Sequence, residues 1–312
     1  MSSPGSDARR VHIDTDPGLD DLLALALALA SPEIEVVGIT TVAGNGSLEA
    51  VTENAQRFLA LVREDIPLGR GASGPLELER VHAEHVHGAD ARGAVQIPAI
   101  DRRPLPGARE VLKHSLGEQR ADVLLALGPL TNVARLLLED PDLLAGVEVV
   151  WMGGTLGPGN ATAAAEFNCW ADPAAADRVL GASCPVRVIG LEVTREVSLR
   201  PAEVPSGLFG SGERGRFLRS ILNALMRTEK PFVGEPCATL HDLSAVLVAC
   251  GGDLFRYEPR ALRARVVEGS DRGRLEPASS GRPAVRYASE VHHTEVKRLF
   301  LERLAAWTGG QA

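Results

Sequence analysis

The chain is organised around Val11-His12-Ile13-Asp14-Thr15-Asp16-Pro17-Gly18-Leu19-Asp20-Asp21. Apolar residues begin this stretch, and a run rich in leucine and alanine follows it as far as Ala30. The dipeptide Pro17-Gly18 predicts a tight turn. We therefore predict a strand, a turn and a helix, with Asp20 and Asp21 in the first helical turn, where the helix dipole favours anions.

The four aspartates of this stretch are Asp14, Asp16, Asp20 and Asp21. In a folded site they would repel one another unless a cation lies among them or some of them stay protonated. Ligation by carboxylate oxygens alone indicates Ca²⁺ or Mg²⁺ rather than Zn²⁺. For any single aspartate, the structural alternative is that it only caps the turn.

The composition limits the class of protein. With 312 residues and 45% hydrophobic content, we predict a disordered tail over residues 1–10 and one domain over residues 11–312. The formal net charge of −8 and the pI near 5.6 argue against nucleic acid or an anionic membrane surface as partner. The tail lacks an apolar core and the run 22–30 is too short to span a bilayer, so we expect a cytoplasmic protein with a small ligand. Four widely spaced cysteines predict buried free thiols: Cys169, Cys184, Cys237 and Cys250.

Strand and helix patterns alternate along the first two thirds of the chain, which predicts parallel strands joined by crossover helices. Two stretches interrupt the pattern: residues 69–106, which we interpret as a functional loop or lid, and residues 153–170. The fold class is therefore α/β, an open and mostly parallel Rossmann-like sheet with flanking helices and a mainly helical part from residue 201. The predicted strands cover residues 11–13, 35–41, 123–127, 147–152, 186–189, 261–267 and 285–288, and the last helix covers residues 290–306.

Polar or glycine residues follow the carboxyl ends of several predicted strands, namely Asp14, Asp16, Asn45, Gly128, Gly153 and Gly154. In open α/β sheets that edge binds ligands, so we expect these residues to share one crevice. No serine or cysteine stands in a nucleophile-elbow motif, and no phosphate-binding loop is present. The remaining carboxylates and amides suit metal-oriented attack of water on a polyhydroxylated ligand such as a sugar.

At residues 14–21 the sequence resembles the inosine-uridine preferring nucleoside hydrolases, whose hallmark is an N-terminal D-x-D-P-G-x-D-D. The resemblance implies a nucleoside hydrolase-like fold and an enzyme that hydrolyses the N-glycosidic bond of ribonucleosides, giving free nucleobase and ribose. Family members are commonly homodimers or homotetramers, so we expect a homo-oligomer. Further matches follow in the family's order: Thr40-Thr41-Val42-Ala43-Gly44-Asn45, Leu127-Gly128-Pro129-Leu130-Thr131-Asn132, Met152-Gly153-Gly154, Asn160-Ala161-Thr162, Glu166-Phe167-Asn168 and His241-Asp242.

The resemblance also implies a Ca²⁺ site. Its protein ligands would be Asp16, Asp21, the carbonyl of Leu127, and Asp242. Asp16 would in addition take a proton from the metal-bound water that attacks the ribose anomeric carbon. Asp14 has no assigned contact and could instead hold the Asp16 turn.

The same resemblance implies a ribose pocket. Met152 would pack against the ribose, although a methionine at the end of a buried strand can equally be core. As the glycosidic bond breaks, the ribose becomes oxocarbenium-like, and carboxylates around it stabilise the developing positive charge. The implied hydrogen-bonding residues are Asp20, Asn45 and Asn168 for the 2′- and 3′-hydroxyls, and Asn160 and Glu166 for the 5′-hydroxyl side.

The leaving nucleobase is where the sequence departs from the family. His241 is a candidate general acid, or alternatively only an N-terminal helix residue beside a metal ligand. His87, followed by Gly88, matches the His-Gly of the family's mobile loop near the base, but residues 89–93 do not continue that pattern. Between Arg227 and His241, Phe232 is the only aromatic residue, where several members carry a tyrosine. Nucleobase preference therefore stays open, between purine and pyrimidine.

Two other classes compete with the nucleoside hydrolase interpretation. A Mg²⁺-dependent aspartate phosphatase would use Asp14 and Asp16, but that class has Thr or Val two residues after the second Asp, where Gly18 stands. A nucleoside- or ribose-binding protein without turnover would keep the same contacts, and only an assay of free ribose separates it from the enzyme.

Overall fold

The computed structural model describes residues 8–79, 90–93, 95–101, 103–279 and 281–311, with the side chains of residues 230–233 outside the description. Its strands are β1 (Arg9–Thr15), β2 (Ile34–Thr41), β3 (Leu68–Arg70), β4 (Val123–Ala126), β5 (Glu148–Met152), β6 (Val186–Ile189), β7 (Ser198–Leu199), β8 (Ala238–Thr239), β9 (Phe255–Arg260), β10 (Leu262–Ala264), β11 (Leu275–Pro277) and β12 (Val285–Val291). Its helices are α1 (Leu19–Ala30), α2 (Leu48–Val62), α3 (Ala108–Lys113, continued by a π-helical turn His114–Glu118), α4 (Thr131–Glu139), α5 (Phe167–Ala171), α6 (Pro173–Leu180), α7 (Leu191–Thr194), α8 (Glu213–Val233), α9 (His241–Ala249) and α10 (His293–Thr308).

An eight-stranded sheet forms the centre, in the order β3-β2-β1-β4-β5-β6-β12-β9. All neighbouring strands pair in parallel except β12 and β9, which are antiparallel. Two small antiparallel pairs, β10-β11 and β7-β8, lie outside it. The prediction of an open, mostly parallel sheet is confirmed.

The central strands are apolar on both faces because helices cover both sides of the sheet. Along β4, Val123 and Leu125 face one hydrophobic cluster, and Leu124 and Ala126 face the other. In β5, Trp151 is fully buried in the second cluster. The unbroken apolar runs that predicted these strands are thus explained by double-sided burial.

Helix α1 is enclosed on most of its sides. Its leucines and alanines are buried around most of its circumference, and it packs against α8, α9 and α10. Leucine and alanine are also strong helix formers, so propensity and burial favour the same structure. The predicted helical C-terminal part is confirmed, and it covers the face of the sheet that α1 occupies.

Capping side chains place helix starts where the sequence predicted them. Ser47 Oγ accepts a hydrogen bond from Ala50 N at 3.1 Å and begins α2. Asp172 Oδ1 accepts one from Ala175 N at 3.0 Å and begins α6. Each cap pairs a backbone donor that the helix itself cannot pair.

The chain departs from the sequence predictions mainly after residue 250. The predicted strand 261–267 is wrong in extent: β9 precedes it, and only Leu262–Ala264 is a strand. Strand β9 is a charged edge strand, whose pattern resembles a solvated loop. The last helix begins at His293 rather than residue 290, because β12 continues to Val291 to pair with β9.

Strand β3 lies inside the predicted loop 69–106, and residues 80–89 of that loop are outside the described part of the chain. Strand β1 begins at Arg9, within the predicted tail. All four cysteines are free; Cys169 and Cys237 are buried, and Cys184 and Cys250 are half-buried. Within the described ranges, none of the helices has the length and apolar character of a membrane span.

A series of buried, hydrogen-bonded polar side chains connects β1 and β2. Thr40 Oγ1 donates to Asp14 Oδ1 at 2.5 Å, so the 2.9 Å contact between His12 Nε2 and Thr40 Oγ1 has the imidazole as donor. Among the described residues, His12 Nδ1 has no hydrogen-bond partner. Burial lowers the pKa of His12 to about 3, so the ring is neutral in the folded protein.

This neutrality predicts a pH-dependent loss of stability. An unfolded histidine takes up a proton near pH 6.5, whereas folded His12 does so only near pH 3, so its contribution is present above pH 6.5 and is lost as the pH falls. The variant His12→Gln has no titrating group at this position, so it should not lose this contribution to stability as the pH falls. From pH 7 to pH 5, the free energy of unfolding of the wild type should fall by about 2 kcal/mol relative to the variant, measured by urea unfolding. A difference that does not change with pH would contradict a neutral buried ring.

Candidate active site

The carboxyl ends of four adjacent strands, β2, β1, β4 and β5, meet at one edge of the sheet. The segments that leave this edge carry Asn45, Asp16, the carbonyl of Leu127, and Met152. Helices α1 and α9 begin at the same edge, with acidic residues in their first turns. The structure therefore brings these residues to one edge of the sheet.

Three carboxylates from two helices converge there. One oxygen each of Asp20, Asp21 and Asp242 can be chosen so that all lie within 4.8 Å of one another. Asp21 and Asp242 are buried, and Asp20 is half-buried. We call these three side chains the acidic cluster.

The acidic cluster is electrostatically unfavourable without a counter-charge. Burial raises the pKa of Asp242 well above its usual value, and the charges of Asp20, Asp21 and Asp16 raise it further. Burial and then the charge of Asp21 act in the same direction on Asp16, and burial raises the pKa of Asp20. A cation among these groups would remove the repulsion and allow all of them to be ionised.

The donor set suits a hard divalent cation. All candidate ligand atoms are oxygens, which Ca²⁺ and Mg²⁺ prefer. Within the described part of the chain, Asp20 Oδ1 is buried and has no hydrogen-bond partner, and such an orphaned carboxylate oxygen is costly unless an ion meets it. The residues present therefore fit a metal site.

Asp21 is held by the turn that precedes it. Its Oδ1 accepts from Thr15 Oγ1 at 2.5 Å and from Asp16 N at 3.2 Å, and its Oδ2 accepts from Gly18 N at 3.0 Å and from Asn45 Nδ2 at 2.8 Å. Four donors from two segments set the orientation of this carboxylate. The turn that starts α1 and the predicted metal ligand are thus one hydrogen-bonded unit.

Asp16, predicted as metal ligand and base, lies beside the acidic cluster rather than among its three members. Its Oδ2 accepts from Asn45 N at 2.6 Å. Two glycines enclose the carboxylate: a Cβ on Gly44 would lie 2.1 Å from Oδ2, and one on Gly128 would lie 2.5 Å from Oδ1. Asp20, predicted as a ribose contact, is the third member of the cluster.

Two amides predicted to contact ribose are anchored through their nitrogens. Asn45 Nδ2 donates to Asp16 O at 3.2 Å as well as to Asp21. Asn168 Nδ2 donates to Leu127 O at 2.7 Å and to Met152 O at 3.0 Å. Asn45 thereby ties the loop after β2 to the turn after β1, and Asn168 ties the ends of β4 and β5 to helix α5.

Glu166 caps a helix that sequence reasoning missed. Its Oε1 accepts from Asn168 N at 2.8 Å, and its Oε2 accepts from Gly154 N at 2.7 Å and Cys169 N at 3.1 Å. Burial raises the pKa of this carboxyl. The signal was present, because an acceptor side chain followed by Phe167-Asn168 can begin a helix, but α5 is only five residues long.

The loop before Glu166 carries the exposed Asn160. Its Oδ1 accepts from Phe167 N at 2.9 Å, which closes the loop over residues 160–167. Met152 is buried at the end of β5, with its backbone carbonyl facing Asn168. Its position agrees with both interpretations, a ribose contact and a core residue.

His241 is the first residue of α9 and precedes Asp242. Its Nδ1 lies 2.8 Å from Thr194 Oγ1. Burial lowers the pKa of His241 to about 4, and the charge of Arg195 contributes in the same direction. The imidazole is therefore neutral at pH 7 in the free protein.

Asp14 lies behind the site and is fully buried. Burial raises its pKa to about 7, although hydrogen bonds from Thr40 and Asn132 oppose this. Asn132 Nδ2 donates to Asp14 Oδ1 at 2.7 Å and to Thr41 O at 3.1 Å. Asp14 thus joins β1, β2 and α4 below the crevice, a role that its spacing alone did not predict.

Most of the residues considered as nucleobase contacts lie outside the part of the chain that the structure describes. His87 lies outside the described residues, as do His82 and His85, and the side chain of Phe232 is also not described. Trp170 is half-buried, with its ring 6.1 Å from that of Phe167.

Comparisons with known proteins agree on one family. Residues 11–298 match the family of inosine-uridine preferring nucleoside hydrolases. The pyrimidine-specific ribonucleoside hydrolase RihA of Salmonella agona is 40% identical over 240 residues, which are 74% of this chain and 76% of that protein.

Solved structures agree with the sequence matches. A plant nucleoside hydrolase, PpNRh1, has a TM-score of 0.88 and 31% identity, over 96% of this chain and 99% of that one. A purine-preferring ribonucleoside hydrolase from Gardnerella vaginalis has a TM-score of 0.87 and 27% identity, with the same coverage.

The two glycines that enclose Asp16 allow a test of whether Asp16 contributes to metal binding. In Gly44→Ala the new methyl group meets Asp16 Oδ2, so the carboxylate must move. If Asp16 is a ligand, affinity for Ca²⁺ measured by titration calorimetry should fall at least about tenfold, or about 1.4 kcal/mol. Gly107→Ala is the matched control, since nothing lies within 4 Å of its Cβ. Unchanged affinity in Gly44→Ala would show that Asp16 does not bind the metal.

Proposed function

The chain belongs to the inosine-uridine preferring nucleoside hydrolase family, and from that premise we propose a Ca²⁺-dependent hydrolysis of the N-glycosidic bond of ribonucleosides. The products are free nucleobase and ribose. The observation that carries the proposal is the convergence of Asp20, Asp21 and Asp242 beside Asp16 at the carboxyl edge of the sheet. Buried carboxylates at this density need a cation, and a cation-filled crevice suits a ligand with several hydroxyl groups.

Asp16, Asp21 and Asp242 would hold the Ca²⁺, together with the carbonyl of Leu127. Asp20 is close enough to the other carboxylates to contribute either directly or through a ligand hydroxyl. A bound Ca²⁺ supplies positive charge that offsets the carboxylates and orients water and sugar oxygens.

Asp16 acts as the base. It accepts a proton from the water molecule whose oxygen attacks the ribose anomeric carbon. At the same time the bond between that carbon and the nucleobase nitrogen breaks. The backbone N–H of Asn45 and the enclosing glycines Gly44 and Gly128 support this role, because they restrict the carboxylate to one orientation.

The amide geometry supports binding of ribose hydroxyls. Asn168 uses its Nδ2 on two backbone carbonyls, and Asn45 uses its Nδ2 on Asp16 O and Asp21. Each therefore has its Oδ1 to accept a hydrogen bond from a 2′- or 3′-hydroxyl. Asn160 and Glu166 are assigned to the 5′-hydroxyl side, and Met152 to packing against the sugar.

Carboxylates around the ribose also favour the transition state. As the bond to the base breaks, positive charge develops on the sugar ring, and preorganised negative groups stabilise it. This requirement explains why the site keeps so many buried aspartates, which the fold alone would not favour.

His241 is assigned to the leaving base. In the protonated ring both nitrogens carry a proton: Nδ1 donates to Thr194 Oγ1, and the Nε2 proton can pass to the departing nitrogen. The pKa of about 4 leaves the ring neutral in the free protein, so the ring must take up a proton from solvent when the nucleoside is bound. Negative charge that develops on the leaving nucleobase stabilises the imidazolium, which returns to neutral imidazole after the transfer.

The nucleobase and the assembly remain predictions. One relative is named pyrimidine-specific and one structure purine-preferring, so both base classes are candidate substrates. His87 is kept as a candidate base contact. Homodimer or homotetramer formation can be checked by light scattering coupled to size-exclusion chromatography.

The function is tested by incubating the purified protein with inosine, uridine, cytidine and adenosine and measuring free ribose. At least one nucleoside should be hydrolysed, chelation should abolish the reaction, and added Ca²⁺ should restore it.

Asp16→Asn should lower turnover by several orders of magnitude, because the proposed general base and one negative charge at the metal site are lost together.

Nucleoside binding without ribose release would identify a binding protein and refute the proposed enzyme. If Asp16→Asn retains more than about a tenth of the wild-type rate, the activation barrier has changed by less than about 1.4 kcal/mol. A residue other than Asp16 would then be the general base.

Leaving-group activation is tested with His241→Ala. Inosine turnover should fall by roughly 10²- to 10⁴-fold, the usual contribution of acid–base catalysis. With p-nitrophenyl riboside the rate should stay within about tenfold of wild type, since p-nitrophenolate leaves without a proton. Steady-state kinetics on both substrates measure the difference.

The nitrophenyl substrate also controls for damage to the metal site, because its hydrolysis still needs Asp16, the metal and the ribose contacts. Equal losses on both substrates would mean that His241 only supports its neighbour Asp242.

A further inference from the structure

Helix α7 and the residue after it, residues 191–195, enter the proposed chemistry only through Thr194, which contacts His241. We call them the anchor segment. It follows β6, whose neighbour in the sheet is β5. Thr194 contacts His241, and Glu192 and Arg195 contact the loop that follows β5.

Glu192 holds the turn after β5. Its Oε1 accepts three hydrogen bonds, from Thr155 Oγ1 at 2.8 Å, Leu156 N at 2.7 Å and Gly157 N at 2.9 Å. Its Oε2 accepts from the hydroxyl of Tyr287 on β12. Such a concentration of donors on one carboxylate fixes both the side chain and the turn.

Glu192 is ionised in this setting. Burial alone would raise the pKa of its carboxyl, but the hydrogen bonds from Tyr287, Thr155 and backbone amides hold it below its usual value. Hydrogen bonds to a charged acceptor are roughly twice as strong as neutral ones. The turn therefore depends on this side chain more than on an ordinary surface contact.

Arg195 holds the next two residues of the same loop. Its Nη1 donates to Pro158 O at 2.6 Å, and its Nη2 donates to Gly159 O at 2.7 Å. The planar guanidinium thus binds two successive carbonyls at once, which a lysine cannot do. Residues 155–159 are consequently attached to the anchor segment along their whole length.

Within the loop, Gly157 N also donates to Thr155 Oγ1 at 3.1 Å and Gly159 N donates to Ala163 O at 3.1 Å, so the anchor segment adds to a partly ordered turn. Leu156 is a large apolar residue that is 41% exposed, and Pro158 is exposed as well. The amides of Leu156 and Gly157 donate to Glu192 rather than to loop carbonyls. Without the anchor segment these groups would be satisfied by water and the loop would have many conformations.

This loop contacts two substrate-side residues at its ends. Asn160 follows Gly159 directly, and the amide of Gly154, at the other end of the loop, donates to Glu166. On their far sides both residues are held by the start of α5, where Asn160 Oδ1 accepts from Phe167 N and Glu166 Oε1 accepts from Asn168 N. Both residues are assigned to the 5′-hydroxyl side of the ribose in the proposed function, and a shift of the loop would disturb the backbone of Asn160 and the Gly154 hydrogen bond to Glu166.

We propose that Glu192 and Arg195 are positioning residues that hold the loop of residues 153–160 so that Asn160 and Glu166 recognise the 5′-hydroxyl of the nucleoside. The inference rests on the proposed function and deepens it. Neither residue touches the reacting atoms, and both act through the loop.

The test compares the nucleoside that the wild type hydrolyses fastest with its 5′-deoxy analogue. The two substrates share base, leaving group and metal contacts, so their ratio of kcat/KM isolates recognition of the 5′-hydroxyl. The wild type should prefer the nucleoside. In Glu192→Ala and Arg195→Ala, kcat/KM for the nucleoside should fall roughly 10- to 100-fold, as expected for misplacement by about 1 Å.

For the 5′-deoxy analogue, kcat/KM should stay within about threefold of wild type, because it has no 5′-hydroxyl contact to lose. Arg195→Lys should lie between Arg195→Ala and wild type, since one ammonium can bind only part of the carbonyl pair. Arg200→Ala is the matched control: this exposed arginine pairs with Glu235 at 2.8 Å and does not contact the loop.

Equal losses on both substrates would show that the anchor segment supports only the general structure, and unchanged kinetics would show that the loop needs no anchor; either overturns the inference. So would a wild type that does not discriminate between the two substrates. If Glu192→Ala fails to fold, the pair Arg195→Ala and Arg195→Lys still decides the outcome. A wild type that hydrolyses no nucleoside would refute the proposed function itself, and the inference with it.

Discussion

The repulsion between buried aspartates is the constraint on which the rest of the structure depends. Asp16, Asp21 and Asp242 are almost without solvent exposure, and each raises the energy of the others when charged. A fold can hold such groups only if backbone amides, amide side chains and a cation share their charge. The hydrogen bonds to Asp21 and the enclosure of Asp16 by glycines satisfy the first part of that requirement, and the proposed Ca²⁺ satisfies the second.

That constraint also explains why the site lies on well-packed helices. Asp21 belongs to α1, which is buried on nearly all sides, and Asp242 begins α9, which packs against it. Carboxylates on fully packed helices cannot move apart to relieve repulsion, so their spacing is available for a metal. The substrate-side residues have a different support: Asn160 lies on an exposed loop and depends on Glu192 and Arg195. In the proposed function, metal binding would thus depend on helix packing, and sugar recognition on charged hydrogen bonds.

Local chemistry explains the successful sequence predictions. The turn at Pro17-Gly18, the cap at Ser47 and the Asp172-Pro173 helix start are all specified by residues within a few positions of one another. Strands β4 and β5 were recognised because burial on both faces makes them continuously apolar. The failures have physical causes of the opposite kind. Strand β9 is charged because it is an edge strand, and α5 and α7 are too short for periodicity to reveal them.

The sequence by itself determined the α/β pattern, the strand-turn-helix unit of residues 11–30 and the types of residue available to the site, because each depends on near neighbours and on hydrophobic period. Only the tertiary structure decided which aspartates share the cluster: Asp20 joins Asp21 and Asp242, and Asp16 lies beside them. It also decided that Asn168 uses both Nδ2 hydrogens on backbone carbonyls. It alone linked Glu192 and Arg195 to a loop more than thirty positions earlier. Those contacts join segments far apart in the chain, and their geometry follows from how helices and loops pack on the sheet, which no local pattern of residues encodes.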